Sequence, residues 1–252
     1  MQNPPKPLVR TEGGRLTLEF TPGDIQSAMR LSRPHALVLA YARAMMCFTL
    51  FVPRPTHILM VGLGGGSMAK FCRRHFPEAR ITVLELCADV IALRHTFLVP
   101  PDDERFQVIH ADAAEWMAAP PQDACFDVIV VDGFDAAGLP PSLSSRPFYE
   151  ACRRRLLPSG VLVANVFSYD RRHGAVLDAL DGAFDGRTCR LDKVAGNNHI
   201  LFATAADQGP AARLRRRLAR GRTLMPGVRL GLMNGLCVRL ILARMTWRSV
   251  FA

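Results

Sequence analysis

Apolar residues in this chain arrive in two rhythms. Short, mostly apolar runs such as Ile58–Val61, Ile81–Leu84 and Phe126–Val131 alternate with stretches in which apolar residues recur at three- and four-residue spacing. The runs read as strands buried on both faces, and the spaced stretches read as helices. In order, the pattern predicts strand Ile58–Val61, helix Met68–His75, strand Ile81–Glu85, helix Asp89–Thr96, strand Phe106–His110 and a short helix Ala113–Ala118. Strand Phe126–Val131 follows, then helix Pro147–Leu157 stopping at Pro158-Ser159-Gly160, strand Val161–Val166 and a helix near Gly174–Phe184. An antiparallel pair, Thr188–Val194 with His199–Ala203, turns at Gly196-Asn197-Asn198. Such alternation implies an α/β protein, a doubly wound parallel sheet of seven strands with an edge hairpin.

Ahead of this region the rhythm is different. Leu8–Thr11, Arg15–Phe20 and Ile25–Met29 are separated by the turns Glu12-Gly13-Gly14 and Thr21–Asp24, which predicts a small β unit over residues 1–33. Pro34 then opens a predicted helix, His35–Phe51, whose Leu37, Val38, Tyr41, Met45, Phe48 and Leu50 form a wide apolar stripe before Pro53 and Pro55 end it. The expected division is therefore 1–33, a catalytic sheet domain over 34–206, and a basic helical extension over 207–252.

Charge sharpens that last boundary. The net charge is +10, yet ten arginines and a single acid, Asp207, lie beyond residue 206 and carry +9 of it. The body is nearly neutral, so the cationic character belongs to the tail. Such a tail can bind RNA, acidic lipid or an acidic partner, but a solvated helix face that keeps the protein soluble is the preferred reading. The seven cysteines are scattered and form no C-x-x-C pair, which argues against a disulfide framework or a zinc site. No apolar run is long enough to span a bilayer and residues 1–10 lack an apolar signal core, so the expected location is cytoplasmic.

The candidate chemistry sits where strands end. Gly62, Gly64, Gly65 and Gly66 fall between the strand at Ile58–Val61 and the helix at Met68, in a turn that lets a ligand approach bare backbone. Glu85 ends the next strand at about the 20-residue distance where nucleotide folds hold a ribose diol with a carboxylate. Ligands of doubly wound sheets lie beyond the carboxyl ends of the strands. There the chain offers Glu85, Asp112 followed by Ala113, and Asp132 with Asp135. This acidic rim would repel a pyrophosphate and attract an adenosine bearing a sulfonium, which favours S-adenosylmethionine or its decarboxylated form over NAD. Two carboxylates after one strand can divide the work, one deprotonating an attacking amine and the other holding a second cation. Ordinary roles compete: a helix cap for Asp112, an Asx turn for Asp135, core packing for Tyr41. Tyr41 and Gln26 also lie at the junction of the β unit and the sheet domain, where a lid over the site would form. The seven histidines show neither metal-ligand spacing nor a partner serine, so no metal and no catalytic histidine is expected.

Taken as an ordered set, these residues resemble the spermidine synthase, or polyamine aminopropyltransferase, family over roughly Leu16 to Ala203. The resemblance rests on Gln26 after a β meander, Tyr41, the glycine turn, Val83-Leu84-Glu85-Leu86, Ala111-Asp112-Ala113, Phe126 to Asp135, and Phe148-Tyr149 ahead of Leu157-Pro158-Ser159-Gly160-Val161. It implies a Rossmann-like sheet of the class I AdoMet-dependent transferase type. It also implies a cofactor site at Gln26, Gly62, Gly64, Gly65, Gly66, Glu85, Asp112, Ala113 and Asp132, with Glu85 on the ribose and Asp112 on adenine. Asp132 would assist deprotonation of a small amine acceptor, Tyr41 and Asp135 would bind that acceptor, and relatives are frequently homodimers. The implied reaction moves an aminopropyl group from decarboxylated S-adenosylmethionine by in-line displacement. The chain departs from the family where an aspartate in the glycine turn is matched by Gly65, and where an Asp-Glu pair and a Tyr-His-Glu run are matched by Arg33-Pro34 and Tyr41-Ala42-Arg43. Fewer acids and more arginines oppose a polycation. A methyltransferase on the same sheet, and a non-catalytic nucleoside-binding protein, remain the alternative readings.

Overall fold

The computed structural model of the chain describes residues 6–119, 125–134, 138–206, 235–243 and 245. An N-terminal antiparallel sheet is built from β1 (Leu8–Glu12), β2 (Arg15–Glu19) and β3 (Ile25–Arg30) in that order. The main sheet comprises β4 (His57–Val61), β5 (Arg80–Glu85), β6 (Phe106–His110), β7 (Phe126–Val131), β8 (Leu156–Phe167), β9 (Thr188–Ala195) and β10 (Asn198–Thr204). Its order is β6-β5-β4-β7-β8-β10-β9, parallel from β6 to β8, with β10 inserted antiparallel between β8 and β9. The Rossmann-like sheet and the small β unit are thus as the sequence predicts.

Helices α2 (Ser67–His75), α3 (Ala88–Ala92), α4 (Ala113–Ala118), α5 (Arg146–Arg155) and α6 (His173–Ala183) fill the crossovers. All six residues of β7 are buried because the sheet has an apolar layer on each face. One layer joins Met60, Val128 and Val130 to Phe48, Phe71 and the N-terminal sheet. The other joins Leu59, Ile129 and Val131 to Phe148, Tyr149 and Leu180. Asp127 is buried within β7 and accepts from Thr56 N at 2.8 Å, Thr56 Oγ1 at 2.7 Å and His57 N at 2.8 Å, which pins the start of β4 beside it.

Three expectations are revised. The predicted helix His35–Phe51 is only α1 (Ala40–Met45) followed by a 3₁₀ turn, Met46–Leu50. Arg43 Nη1 takes the carbonyls of Leu37 at 2.9 Å and Val38 at 2.5 Å, and Leu39 is extended at ψ 140°, so residues before Ala40 stay non-helical. The predicted stop at Pro158-Ser159-Gly160 lies inside β8, where the register with β7 shifts between Phe126 and Val128. A Cβ at Gly160 would stand 3.0 Å from Phe126 O, so glycine permits this bulged approach. The helix predicted at Asp89–Thr96 ends at Ala92 and gives way to turns.

Of the basic extension, a helix over 235–243 is described, with Val238 and Met245 buried in the layer that also holds Cys47 and Phe71. The arginine cluster at 213–222 lies outside the described residues, as does Asp135. The seven cysteines are free thiols. Among the described residues, no helix is long and apolar enough to cross a membrane.

Candidate active site

One cleft opens at the carboxyl ends of β4, β5, β6 and β7, roofed by residues of β2, β3 and the 38–42 segment. It encloses about 1120 Å³ including its open mouth, room for an adenosine-sized ligand and a second small molecule. Gln26, Tyr41, Gly62, Gly64, Glu85, Asp112, Ala113 and Asp132 all line it. Residues more than a hundred positions apart in sequence therefore converge on one space.

Gly62 closes β4 at φ +95°, and a Cβ there would lie 2.5 Å from the carbonyl oxygen of Asp132. Only glycine lets the two strand ends approach this closely. Gly64 adopts φ +51° and borders the cleft, while Gly65 and Gly66 form the back of the turn. A Cβ at Gly65 would meet Ser27 Oγ at 2.7 Å and the Phe97 ring at 2.8 Å, and one at Gly66 would meet Val99 at 2.4 Å. Behind them Lys70 is 1% exposed, donating to Phe97 O at 2.5 Å with Met29 Sδ 3.0 Å away. Burial pushes this ammonium down to about 8.

The carboxylates differ in their bonding. Glu85 Oε2 accepts from Leu63 N and Oε1 from Cys87 N, both at 2.8 Å, so the glycine turn and the strand end clamp it in one rotamer. Asp112 Oδ1 accepts from Ala114 N at 2.7 Å and Glu115 N at 3.3 Å, capping α4 as its sequence position suggests, while still facing the cleft. Asp132 accepts from Asn165 Nδ2 at 3.0 Å and from the Tyr41 hydroxyl. Burial raises its pKa to about 7, with those two hydrogen bonds pulling it back part of the way. The same burial, and then the charge of Asp132, push the Tyr41 phenol well above its usual range, so it stays a donor.

Tyr41 is therefore more than packing: its hydroxyl also lies 3.3 Å from Gln26 O and ties the N-terminal sheet to the floor of the cleft. The Gln26 side chain turns outward to Asp24 Oδ2 at 2.9 Å. Two residues were not singled out from the sequence. Asn165, 1% exposed in β8, holds Asp132 and accepts from Asn198 Nδ2 at 2.9 Å. A lone amide inside the apolar run Val161–Val166 was the signal that would have found it. Asn198 carried no signal beyond its place in a turn. Among the described residues, no cluster of three or more His, Cys, Asp or Glu side chains is placed to hold a metal ion.

The chain is similar to known proteins. Residues 38–173 match the sequence model of a family described as the spermine/spermidine synthase domain. A polyamine aminopropyltransferase of Chromobacterium violaceum is 36% identical over 200 residues, 79% of this chain and 76% of that protein. A probable spermidine synthase from Corynebacterium glutamicum superposes with a TM-score of 0.69 at 23% identity, covering 85% of this chain and 84% of the other. A spermidine synthase in complex with the transition state analogue AdoDATO gives 0.60 at 18% identity, over 94% and 88%.

Proposed function

The chain belongs to the spermine/spermidine synthase family of transferases, and on that footing we propose that it moves an aminopropyl group from decarboxylated S-adenosylmethionine to an amine, with Asp132 taking a proton from the attacking nitrogen. The reading is carried by one observation: the Asp132 carboxyl, held by Asn165 and Tyr41, lies in the same cleft as Glu85 and Asp112, and desolvation there raises its pKa to about 7. A base poised near neutral pH is ionised in the cell and still holds a proton long enough to pass it to water.

Each Glu85 oxygen accepts one backbone N–H and keeps lone-pair capacity for a ribose hydroxyl. Asp112, fixed by capping α4, faces the adenine end with Ala113 and Leu86 beside it. Gly62 and Gly64 leave backbone bare for the sugar and sulfur, and the three carboxylates match a cationic ligand. Bound there, the donor would supply a carbon activated by sulfonium, whose thioether leaves without needing a proton. What this chain contributes is alignment, a dry floor and Asp132 as proton acceptor. The likeness of the fold to a spermidine synthase crystallised with AdoDATO supports this ligand class.

A second reading is methyl transfer from S-adenosylmethionine. It is favoured at Gly65, matched to the aspartate that aminopropyltransferases usually carry, where any side chain would collide with Ser27 and Phe97. Titration calorimetry with both donor forms separates the two. Tighter binding of the decarboxylated form, with methylthioadenosine released on adding an amine, supports aminopropyl transfer; tighter binding of the carboxylated form, with adenosylhomocysteine released, replaces it with methylation.

A further inference from the structure

Glu85 ends a row of hydrogen bonds that begins outside the cleft. Its Oε1 accepts from Cys87 N at 2.8 Å, and the carbonyl of that same peptide, Leu86 O, lies 2.9 Å from His110 Nε2. A carbonyl oxygen can only accept, so Nε2 carries the proton and donates it. Leu86 C=O and Cys87 N–H belong to one planar unit, and turning that unit breaks both bonds together. The other Glu85 oxygen, Oε2, accepts from Leu63 N at 2.8 Å. The row therefore runs from the His110 ring through one peptide to Glu85 and on to the glycine turn. Bonds in such a row polarise one another, so the imidazole N–H on Leu86 O makes Cys87 N–H a stronger donor to the carboxylate.

The ends of two neighbouring strands put these groups side by side. β5 and β6 are parallel with Glu85 opposite His110 in register, and Ala111 N donates to Glu85 O at 3.0 Å. Side chains at paired positions leave the same face of a sheet, which carries the imidazole to the Glu85 side. β6 is an edge strand, and His110 is exposed and stands outside the lining of the cleft. Core packing does not call for an imidazole there. Leu86 does line the cleft, yet 64% of its surface is open, so packing does little to fix its peptide and the His110 bond supplies that restraint.

Resting on the assignment of the ribose to Glu85, we propose that His110 is a positioning residue for the nucleoside. Through the Leu86–Cys87 peptide it holds the Glu85 carboxylate in the orientation that receives a ribose hydroxyl, without touching the ligand itself. Its effect falls on nucleoside binding and is the same whichever group is transferred.

The test is calorimetry on the full-length protein with two probes that differ only in the ribose hydroxyls, adenosine and 2′,3′-dideoxyadenosine. His110→Phe keeps a flat ring and removes the donor, whereas His110→Gln keeps an N–H donor. His110→Phe is expected to weaken adenosine binding about fivefold, the scale of one neutral hydrogen bond, and to change dideoxyadenosine binding by less than about twofold. His110→Gln is expected to bring adenosine back to within about twofold of wild type. In a Glu85→Gln background the effect of His110→Phe should shrink below about twofold, since no carboxylate is left to orient. Equal weakening of both probes, or no recovery in His110→Gln, overturns the inference, because the ring would then act through general packing. So does an adenosine affinity that Glu85→Gln lowers and His110→Phe leaves alone. An adenosine affinity untouched by Glu85→Gln sinks the ribose assignment itself, and the inference with it.

Discussion

Replacing Asp132 with asparagine isolates the proton-accepting role from the structural one. Asparagine has nearly the same shape and keeps an oxygen for Asn165 Nδ2 and the Tyr41 hydroxyl, both of which bond the wild-type carboxyl. What it loses is the ability to take a proton. General-base assistance typically contributes about 10² to 10⁴ in rate, or roughly 3 to 5 kcal/mol of transition-state stabilisation, so kcat should fall by that factor. Methylthioadenosine binding should change less than about twofold, since the ribose and adenine are assigned to Glu85 and Asp112 and the charge–sulfonium attraction is absent from a neutral thioether. Wild-type turnover should rise with pH to a plateau above about 7, following the carboxyl, and the variant should lack that inflection.

Stability supplies an independent check on the same substitution. An unfolded aspartate ionises near 3.8, whereas the native carboxyl keeps its proton to about 7. Between those values the native state binds more protons than the unfolded state, so this group's contribution is complete below pH 3.8 and is lost as pH rises through 7. The loss is on the order of 4 kcal/mol. Asp132→Asn should therefore gain stability relative to wild type between pH 5 and pH 8, read from denaturant melts at the two pH values. A nucleoside affinity that drops as far as kcat would refute the assigned role. Parallel pH–stability curves for the two proteins would refute the desolvated, raised carboxyl itself.

Other perturbations test neighbouring parts of the cleft. Glu85→Gln should weaken methylthioadenosine binding by roughly 1.5 to 3 kcal/mol in calorimetry, the scale of a charge-assisted hydrogen bond; an unchanged constant would put the ribose elsewhere. Asn165→Leu removes a donor that lowers the Asp132 pKa, so the midpoint of the pH–rate profile should move upward, and a fixed midpoint would show that the amide does not tune the base. Lys70→Met should stabilise the protein at pH 7. The native ammonium loses its proton near 8 and the unfolded one near 10.5, so the burial penalty is present below about 8 and the gain should fade toward pH 10.5. Equal gains at pH 7 and pH 10 would contradict a charged, desolvated lysine.

Much of this architecture was legible because its signals are local. A strand buried on both faces, such as β7, reads as an apolar run broken here only by Asp127, and α4 begins one residue after the aspartate that caps it. The glycine turn announced itself for the same reason: a strand end that passes 2.5 Å from where a Cβ would sit tolerates no side chain. The helix predicted at 35–51 failed where a side chain intervened, since periodicity cannot foresee that Arg43 will capture the Leu37 and Val38 carbonyls.

By itself the sequence determined the order of strands and helices, the acidic residues at the strand ends and the family they resemble. Only the tertiary structure decided what surrounds Asp132. Asn165 lies 33 residues from it in sequence and Asn198 a further 33, and β10 brings them together by inserting antiparallel beside β8. Tyr41 reaches the same carboxyl from α1, a helix that packs on β8, β9 and β10. The desolvation that holds Asp132 near a pKa of 7 is a property of an enclosed volume, and a volume is defined by non-local contacts that no short window of sequence contains.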